Sequence, residues 1–149
     1  MTQGSRNYKE QLHKIRILHE HIANQRRDFV HKESRRIADA CDAVCVRTDN
    51  LTEMSRTLKL GNVYASGFGK FRQCLEYKLD RENKRYVTID SNAATAKTCQ
   101  FCGCVNENLT LRDRVWTCPY CGAVLERETN AAINIRNEGL KQIEVEDAP

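Results

Sequence analysis

A chain of 149 residues, 40% hydrophobic and 30% charged, with a formal net charge of +4, fits one modest globular domain or one small domain with a metal-stapled appendage; we expect the second. No apolar run approaches the length of a bilayer span, and Met1-Thr2-Gln3-Gly4-Ser5 lacks the apolar core of a signal peptide. Membrane and secreted classes are therefore set aside, and the cytoplasm is the expected compartment. A basic front end set against acidic Glu144, Glu146 and Asp147 permits contact with nucleic acid without requiring it.

Residues 1–7 are polar and expected to be loose. From Tyr8 to Cys41 the residues Leu12, Ile15, Leu18, Ile22, Phe29, Ile37 and Cys41 recur mostly three, four or seven apart, which predicts two helices or one bent one, with Asn24 and Asp28 as cap positions near the bend. Arg26, Arg27, Lys32, Arg35 and Arg36 make this the most basic stretch; it is either a solvated helix face or a phosphate-contacting surface. His13, His19, His21 and His31 have no i, i+4 pairing and read as surface residues.

Ala43-Val44-Cys45-Val46 is a short apolar run that predicts a buried strand of a mostly parallel sheet, with Cys45, like Cys41 and Cys74, an inert small residue. Residues 51–67 are a polar connection. Phe68, Phe71, Leu75 and Leu79 then recur at helical spacing up to Asp80, and Arg85-Tyr86-Val87-Thr88-Ile89 alternates as a second strand, so the order predicts a βαβ crossover. Ser91 to Ala96 is a small-residue linker. Residues 128 to about 142 form a final helix with Ala131, Ala132, Ile135 and Leu140 near one side.

The strongest signal is Cys99-Gln100-Phe101-Cys102 with Cys118-Pro119-Tyr120-Cys121, two Cys-x-x-Cys pairs fifteen residues apart. Each pair on a tight turn aims two thiolates at one tetrahedral centre, the pattern of a structural four-cysteine zinc site. Gly103 and Gly122 follow the second cysteine of each knuckle, where a positive φ is needed. Between the pairs, Leu109, Leu111, Val115 and Trp116 alternate with polar residues as short strands, giving a zinc ribbon. Zinc would contribute about 10–16 kcal/mol to ordering so small a unit. Disulfides are the alternative, but they belong to oxidising compartments.

Four places resemble one family, the TnpB (OrfB) proteins of insertion sequences, related to type V CRISPR effectors. They are Ile22 to Phe29; Met54-Ser55-Arg56 with Gly67-Phe68-Gly69-Lys70-Phe71; the two knuckles with their Lys97-Thr98 and Trp116-Thr117 leads; and Asn130-Ala131-Ala132-Ile133-Asn134-Ile135. The match runs from about residue 8 to 142. It implies an RNA-guided DNA endonuclease with an RNase H-like (RuvC-like) core in which three carboxylates hold two Mg2+ ions. This chain departs at every acid. No Asp-x-Gly motif occurs, Arg47 stands where the second acid is a Glu, and Glu128 replaces the third, an Asp. An Arg puts a fixed positive charge where a dication should bind, and the longer Glu128 displaces its carboxylate. Asp49, two residues beyond Arg47, is a substitute acid if the strand continues.

The expected fold is therefore α/β, an incomplete RuvC-like unit with long N-terminal helices and an inserted four-cysteine zinc ribbon. Its parts are a basic helical segment (1–41), a partial RuvC-like βαβ region (42–96), the ribbon (97–125), and a closing helix with an acidic tail (126–149). The expected function is DNA binding without nuclease activity of its own, one structural Zn2+, and Mg2+ only if cleavage survives. Cys99, Cys102, Cys118 and Cys121 are the expected zinc ligands. Arg26, Arg27, Lys97, Arg112, Arg114 and Trp116 are the candidate contacts for phosphate or base. Guide RNA and an intact family member are further partners that the resemblance implies. Two alternatives stand beside this: a nuclease with a shifted acidic site of Asp49, Glu128 and Asp90, and a ribbon that binds protein.

Overall fold

The computed structural model describes residues 4–48 and 67–146, so Asp49 and most of the 51–67 connection lie outside the described residues. Helices and strands mix in the order α1 (Arg6–Ala40), β1 (Ala43–Arg47), α2 (Phe68–Arg81), β2 (Arg85–Ile89), β3 (Val115–Thr117), β4 (Val124–Glu126) and α3 (Arg127–Glu146). The fold is α/β. The described residues divide into two compact units, one of 4–41 and 67–82 and the other of 42–48 and 83–146.

In the first unit the two-helix alternative does not hold: α1 is one continuous helix. No Pro or Gly interrupts residues 6–40, and the two residues read as caps are used sideways. Asn24 Oδ1 accepts from Arg27 Nη2 at 2.7 Å, and Asp28 pairs with Lys32 at 2.7 Å. Ser5 caps the start by accepting the Tyr8 N–H. Further pairs three or four apart, Arg6–Glu10, Glu33–Arg36 and Arg35–Asp39, support the helix along its length. Ile15, Leu18, Ile22 and Phe29 are all exposed.

Only the last third of α1 is packed. Val30, Ser34 and Ala38, one turn apart, are buried, as are Cys74, Leu75, Lys78 and Leu79 of α2. Lys78 enters this contact with its charge satisfied: Nζ donates to the His31 carbonyl at 2.6 Å and to Ser34 Oγ at 2.7 Å, and Ser34 Oγ donates to the Val30 carbonyl. Burial lowers its pKa, as the cost of desolvating an ammonium requires.

In the second unit β1 and β2 pair in parallel, with Ala43 opposite Arg85 and Arg47 opposite Ile89. Helix α3 packs on both strands. The approach depends on Gly139, buried in the middle of α3: a Cβ there would lie 2.3 Å from Cys45 Sγ and 2.7 Å from Cys45 Cβ. A glycine inside a helix costs about 1 kcal/mol against alanine, so its presence marks the close contact. Burial raises the pKa of the Cys45 thiol, against a smaller lowering from Arg136. We expect Gly139→Ala to destabilise the chain by about 1–3 kcal/mol through overpacking, read as a lower midpoint in thermal or urea unfolding. Cys45→Ala should recover only part of this, since the Cys45 Cβ contact remains.

Candidate metal centre and nucleic-acid interface

The two knuckles are built alike. In the first, the Cys99 N–H donates to the Cys104 carbonyl and the Gly103 N–H to the Cys99 carbonyl, both at 2.9 Å. In the second, the Cys118 N–H donates to the Ala123 carbonyl at 2.8 Å and the Gly122 N–H to the Cys118 carbonyl at 3.0 Å. Gly103 and Gly122 take φ of 74° and 73°, the left-handed turn that brings the chain back on itself and that side chains resist.

All four sulfurs of Cys99, Cys102, Cys118 and Cys121 lie within 4.8 Å of one another. Cys99 and Cys121 Sγ are 3.7 Å apart, and Cys102 and Cys118 Sγ 3.6 Å. A tetrahedron with metal–sulfur bonds of about 2.3 Å has edges of about 3.8 Å. The donor set therefore fits a metal such as zinc. Backbone N–H groups of Cys121 and Tyr120 aimed at Cys118 outweigh its burial and bring its thiol down to about 6. The Cys104 N–H works the same way on Cys102, but burial and the other three sulfurs prevail and push it up to about 12. Thiols this close share protons that a dication would displace.

Under the sulfurs lies a small core of Cys99, Leu109, Trp116, Cys118 and Leu125. The short strands are β3 and β4 alone, antiparallel with Trp116 opposite Leu125. Leu109 is buried, but Leu111 is 83% exposed, on turns that the alternating pattern had read as strand. Trp116 is 6% exposed, and its indole N–H meets no partner among the described residues. The ring therefore fills the core and is not presented for stacking. Phe101 and Tyr120, the third residue of each knuckle, are 70% and 80% exposed instead. The sequence signal for them was their place at the tip of a turn fixed by its neighbouring cysteines.

The basic candidates are distributed over both units. Arg26 and Arg27 are exposed on α1, and Arg112 and Arg114 on the loop leading into β3. Lys97 is half-buried and directed at Glu107, 3.3 Å from its carbonyl and 3.8 Å from its carboxylate. The Arg112–Arg114 loop is held against the start of α3: Arg127 Nη1 donates to the Leu111 carbonyl at 2.7 Å and the Arg127 N–H to the Arg114 carbonyl at 2.7 Å.

Asn130 and Asn134, one turn apart on α3, join the first knuckle to the helix. Asn130 is 1% exposed. Its Nδ2 lies 2.7 Å from the Thr98 carbonyl, 3.3 Å from that of Thr95 and 3.4 Å from that of Ala96, while its Oδ1 accepts the Gln100 N–H at 3.0 Å. Asn134 Nδ2 donates to the Thr95 and Thr98 carbonyls at 2.8 and 2.7 Å. These bonds pin the end of the 91–96 linker at Thr95 and Ala96, a role that sequence reasoning missed.

The two departures from the acidic pattern, Arg47 and Glu128, meet at one cavity of about 410 Å3 that also has Thr95, Ala131, Ala132 and Ile135 in its walls. Glu128 Oε1 is clasped by its neighbour Arg127, at 2.6 Å from Nη2 and 3.1 Å from Nε. Arg47 Nη1 lies 3.4 Å from Thr95 Oγ1. A Mg2+ ion takes about six oxygen ligands; this lining offers one carboxylate, already engaged, beside a guanidinium. The described residues do not fit a divalent ion there. Asp90, the third member of the shifted acidic set, is exposed beyond β2 and lines a different cavity with Asn134 and Glu138.

Two substitutions report on this framework. Asn130→Ala should cost about 2–3 kcal/mol, because it strands a buried N–H and removes a donor from three carbonyls, and the loss should appear as a lower unfolding midpoint. Glu126 holds the start of α3 by accepting from Thr129 Oγ1 and the Thr129 N–H, with the Glu128 N–H at 3.3 Å; Thr129 above all lowers its pKa. Its stabilisation is therefore complete above the ordinary glutamate pKa and lost as pH falls through the lowered value. Glu126→Gln should weaken the fold at neutral pH and remove that part of the acid dependence, read by comparing unfolding midpoints across pH 2–6.

The family described as "Cas12f1-like, TNB domain" matches residues 68–135, and the one described as "Probable transposase" (OrfB of IS605) matches residues 1–58. A Streptomyces pristinaespiralis protein named "Putative RNA-guided DNA endonuclease" is 34% identical over 93% of this chain and 35% of its own length. The TnpB-like protein L79 of Acanthamoeba polyphaga mimivirus is 26% identical over 85% of this chain and 25% of its own length. Among solved structures, a cryo-EM structure of a Cas12f1–sgRNA–target DNA complex matches with a TM-score of 0.64 at 26% identity, covering 83% of this chain and 37% of that one. The chain thus spans about a third of the length of the first relative. No helix among the described residues is long and apolar enough to cross a membrane. With two adjoining stretches matched by transposase and Cas12f1-like descriptions, and relatives named for TnpB, the chain belongs to the TnpB (OrfB) family.

Proposed function

We propose that this chain binds nucleic acid through a zinc ribbon set on an incomplete RNase H-like (RuvC-like) unit, and that it does not cleave DNA by itself. One observation carries the reading: four sulfurs at tetrahedral spacing hold two knuckles whose tips expose Phe101 and Tyr120, with Arg112 and Arg114 on the same module. Zinc is structural here. Cys99, Cys102, Cys118 and Cys121 would hold it, and it would fix the turns that present the aromatic residues. Stacking on Phe101 and Tyr120 tolerates any base, and the arginines contact phosphates, so recognition is weakly sequence-dependent and strongly salt-dependent. Arg26 and Arg27 add a second basic surface on α1.

The reading that the chain does not cleave DNA by itself is supported by the cavity at Arg47 and Glu128, whose described lining offers one carboxylate beside a guanidinium. The partner supported by the comparisons is DNA, with guide RNA beside it, since the Streptomyces relative is named "Putative RNA-guided DNA endonuclease" and the similar structure is a complex with sgRNA and target DNA. The partition into a basic helical segment (1–41), a RuvC-like strand–helix–strand region (42–96), the ribbon (97–125) and the closing segment (126–149) belongs to this proposal.

Purified protein should carry one zinc per chain by elemental analysis. Chelation, or Cys118→Ser, should abolish binding to labelled single-stranded DNA along with the ordered module. Phe101→Ala with Tyr120→Ala should weaken binding about tenfold or more while zinc stays bound. Affinity that survives zinc removal would overturn the reading, as would cleavage of DNA by the isolated chain with Mg2+ or Mn2+.

A further inference from the structure

Strand β1 has an open edge. It pairs with β2 in a two-stranded sheet, and the ladder is bounded by the Arg85 N–H on the Asp42 carbonyl and the Thr48 N–H on the Ile89 carbonyl. In a parallel ladder alternate residues bond to the neighbouring strand, so residues 42, 44, 46 and 48 bond toward β2 while the N–H and C=O groups of Ala43 and Cys45 point the other way. Among the described residues no hydrogen bond meets those outward groups. Ala43-Val44-Cys45-Val46 carries no Pro and no charge, and its register with β2 is unbroken by a bulge. These are the devices that keep edge strands from pairing, and β1 lacks them.

The helix over the sheet has an apolar strip on the same side. Glu128 of α3 shares a cavity with Arg47, and Glu146 bonds Arg85, so α3 runs antiparallel to the strands. Asn134, Asn137, Glu138 and Lys141 share a cavity with Asp90, just beyond β2, which puts that flank of α3 on the β2 side. The opposite flank, with Ile133, Arg136, Leu140 and Ile143, therefore lies on the side of the open edge, and Arg136 acts electrostatically on Cys45 of β1. Ile133 and Ile143 are half-buried, and Leu140 is 41% exposed.

We infer that the open edge of β1 is an interface for a second copy of this chain, with β1 pairing antiparallel to the partner subunit's β1 about a two-fold axis at Val44. The register uses only the unpaired groups: Ala43 exchanges both hydrogen bonds with the partner subunit's Cys45, and Cys45 with the partner subunit's Ala43. Val44 meets the partner subunit's Val44 as a close cross-strand pair. Helix α3 sits over the Cys45–Val87 pair, and the two-fold keeps both copies of α3 on one face of the joined sheet. They then lie two strand spacings apart, about 9.6 Å, which is within the roughly 8–10 Å of packed helices. This spacing selects a second copy, because a lone peptide strand would leave the Leu140 flank uncovered. Leu140 follows Gly139, which rests on Cys45, so it falls near the axis and packs on the partner subunit's Leu140. Arg136 comes level with the partner subunit's Glu144, a charge of opposite sign.

The whole chain, zinc-loaded and free of nucleic acid, supplies the test, so the outcome is separate from that of the ribbon reading. Sedimentation equilibrium is run over a concentration series, and amide hydrogen exchange is measured at both ends of it. The expected result is a mass that rises with concentration toward twice the chain mass of 17.2 kDa, with the Ala43 and Cys45 amides protected only in the dimer. Arg136→Glu should weaken association about tenfold or more, as should Glu144→Arg, and the double variant should recover most of the loss. Leu140→Glu should leave a monomer with zinc content and circular dichroism unchanged. A wild type that is monomeric at every concentration overturns the inference. A dimer whose Ala43 and Cys45 amides exchange as fast as in the monomer places the interface elsewhere and overturns it too, whether or not the variants fold. Protection of those amides in a monomer, only when a peptide of another sequence is added, gives the edge to a different strand and overturns the second-copy assignment.

Discussion

Four sulfurs drawn to one point are the constraint on which the second unit depends. The core beneath them has five buried members, and two of these, Cys99 and Cys118, are themselves part of the sulfur cluster. Leu109, Trp116 and Leu125 are too few to order the surrounding turns by burial alone, given the conformational entropy each ordered residue loses. The module is therefore a case in which site and core are one object. A metal that ties the thiolates also closes the loops around the apolar side chains, and the left-handed glycines after each knuckle keep those loops short.

Much of this was legible in the residues. Cys-x-x-Cys spacing and the following glycines specify a local geometry with few alternatives, so sulfurs and φ angles fell where the pattern put them. Strands at 43–47 and 85–89 announced themselves through β-branched runs, and α2 through its period. Leu111 did not: alternation over so few residues carries little information, and Asp113, accepting from the Thr110 N–H and hydroxyl, makes a turn there instead. Nor did the unbroken α1, because Asn24 and Asp28 have the same chemistry whether they cap a helix or bond along its surface. Trp116 was ambiguous for a related reason: a single aromatic beside basic residues looks the same whether it faces solvent or fills a core. Which outcome holds is decided by Leu109 and Leu125, distant in the chain and near in space.

Asn130 and Gly139 were least visible because each matters through a neighbour the sequence does not reveal. A lone helical glycine is a weak signal until Cys45 is found where its Cβ would be. An asparagine in a helix is ordinary until its amide is found among the carbonyls of residues 95, 96 and 98. Both show how α3 is fixed at two levels, by close apolar contact with β1 near its middle and by a buried polar clamp to the first knuckle near its start. The polar clamp is directional where the apolar contact is not, so it sets the rotation of α3 and with it the direction in which residues 128, 131, 132 and 135 face.

That rotation also gives the Arg47 cavity a defined shape. Its geometry is inherited from the scaffold, from Thr95 on one side and the first turns of α3 on the other, and both are positioned by Asn130 and Asn134. The clamp of Asn130 and Asn134 thus couples the cavity at the end of β1 to the four-sulfur module, so that a change in one is carried to the other.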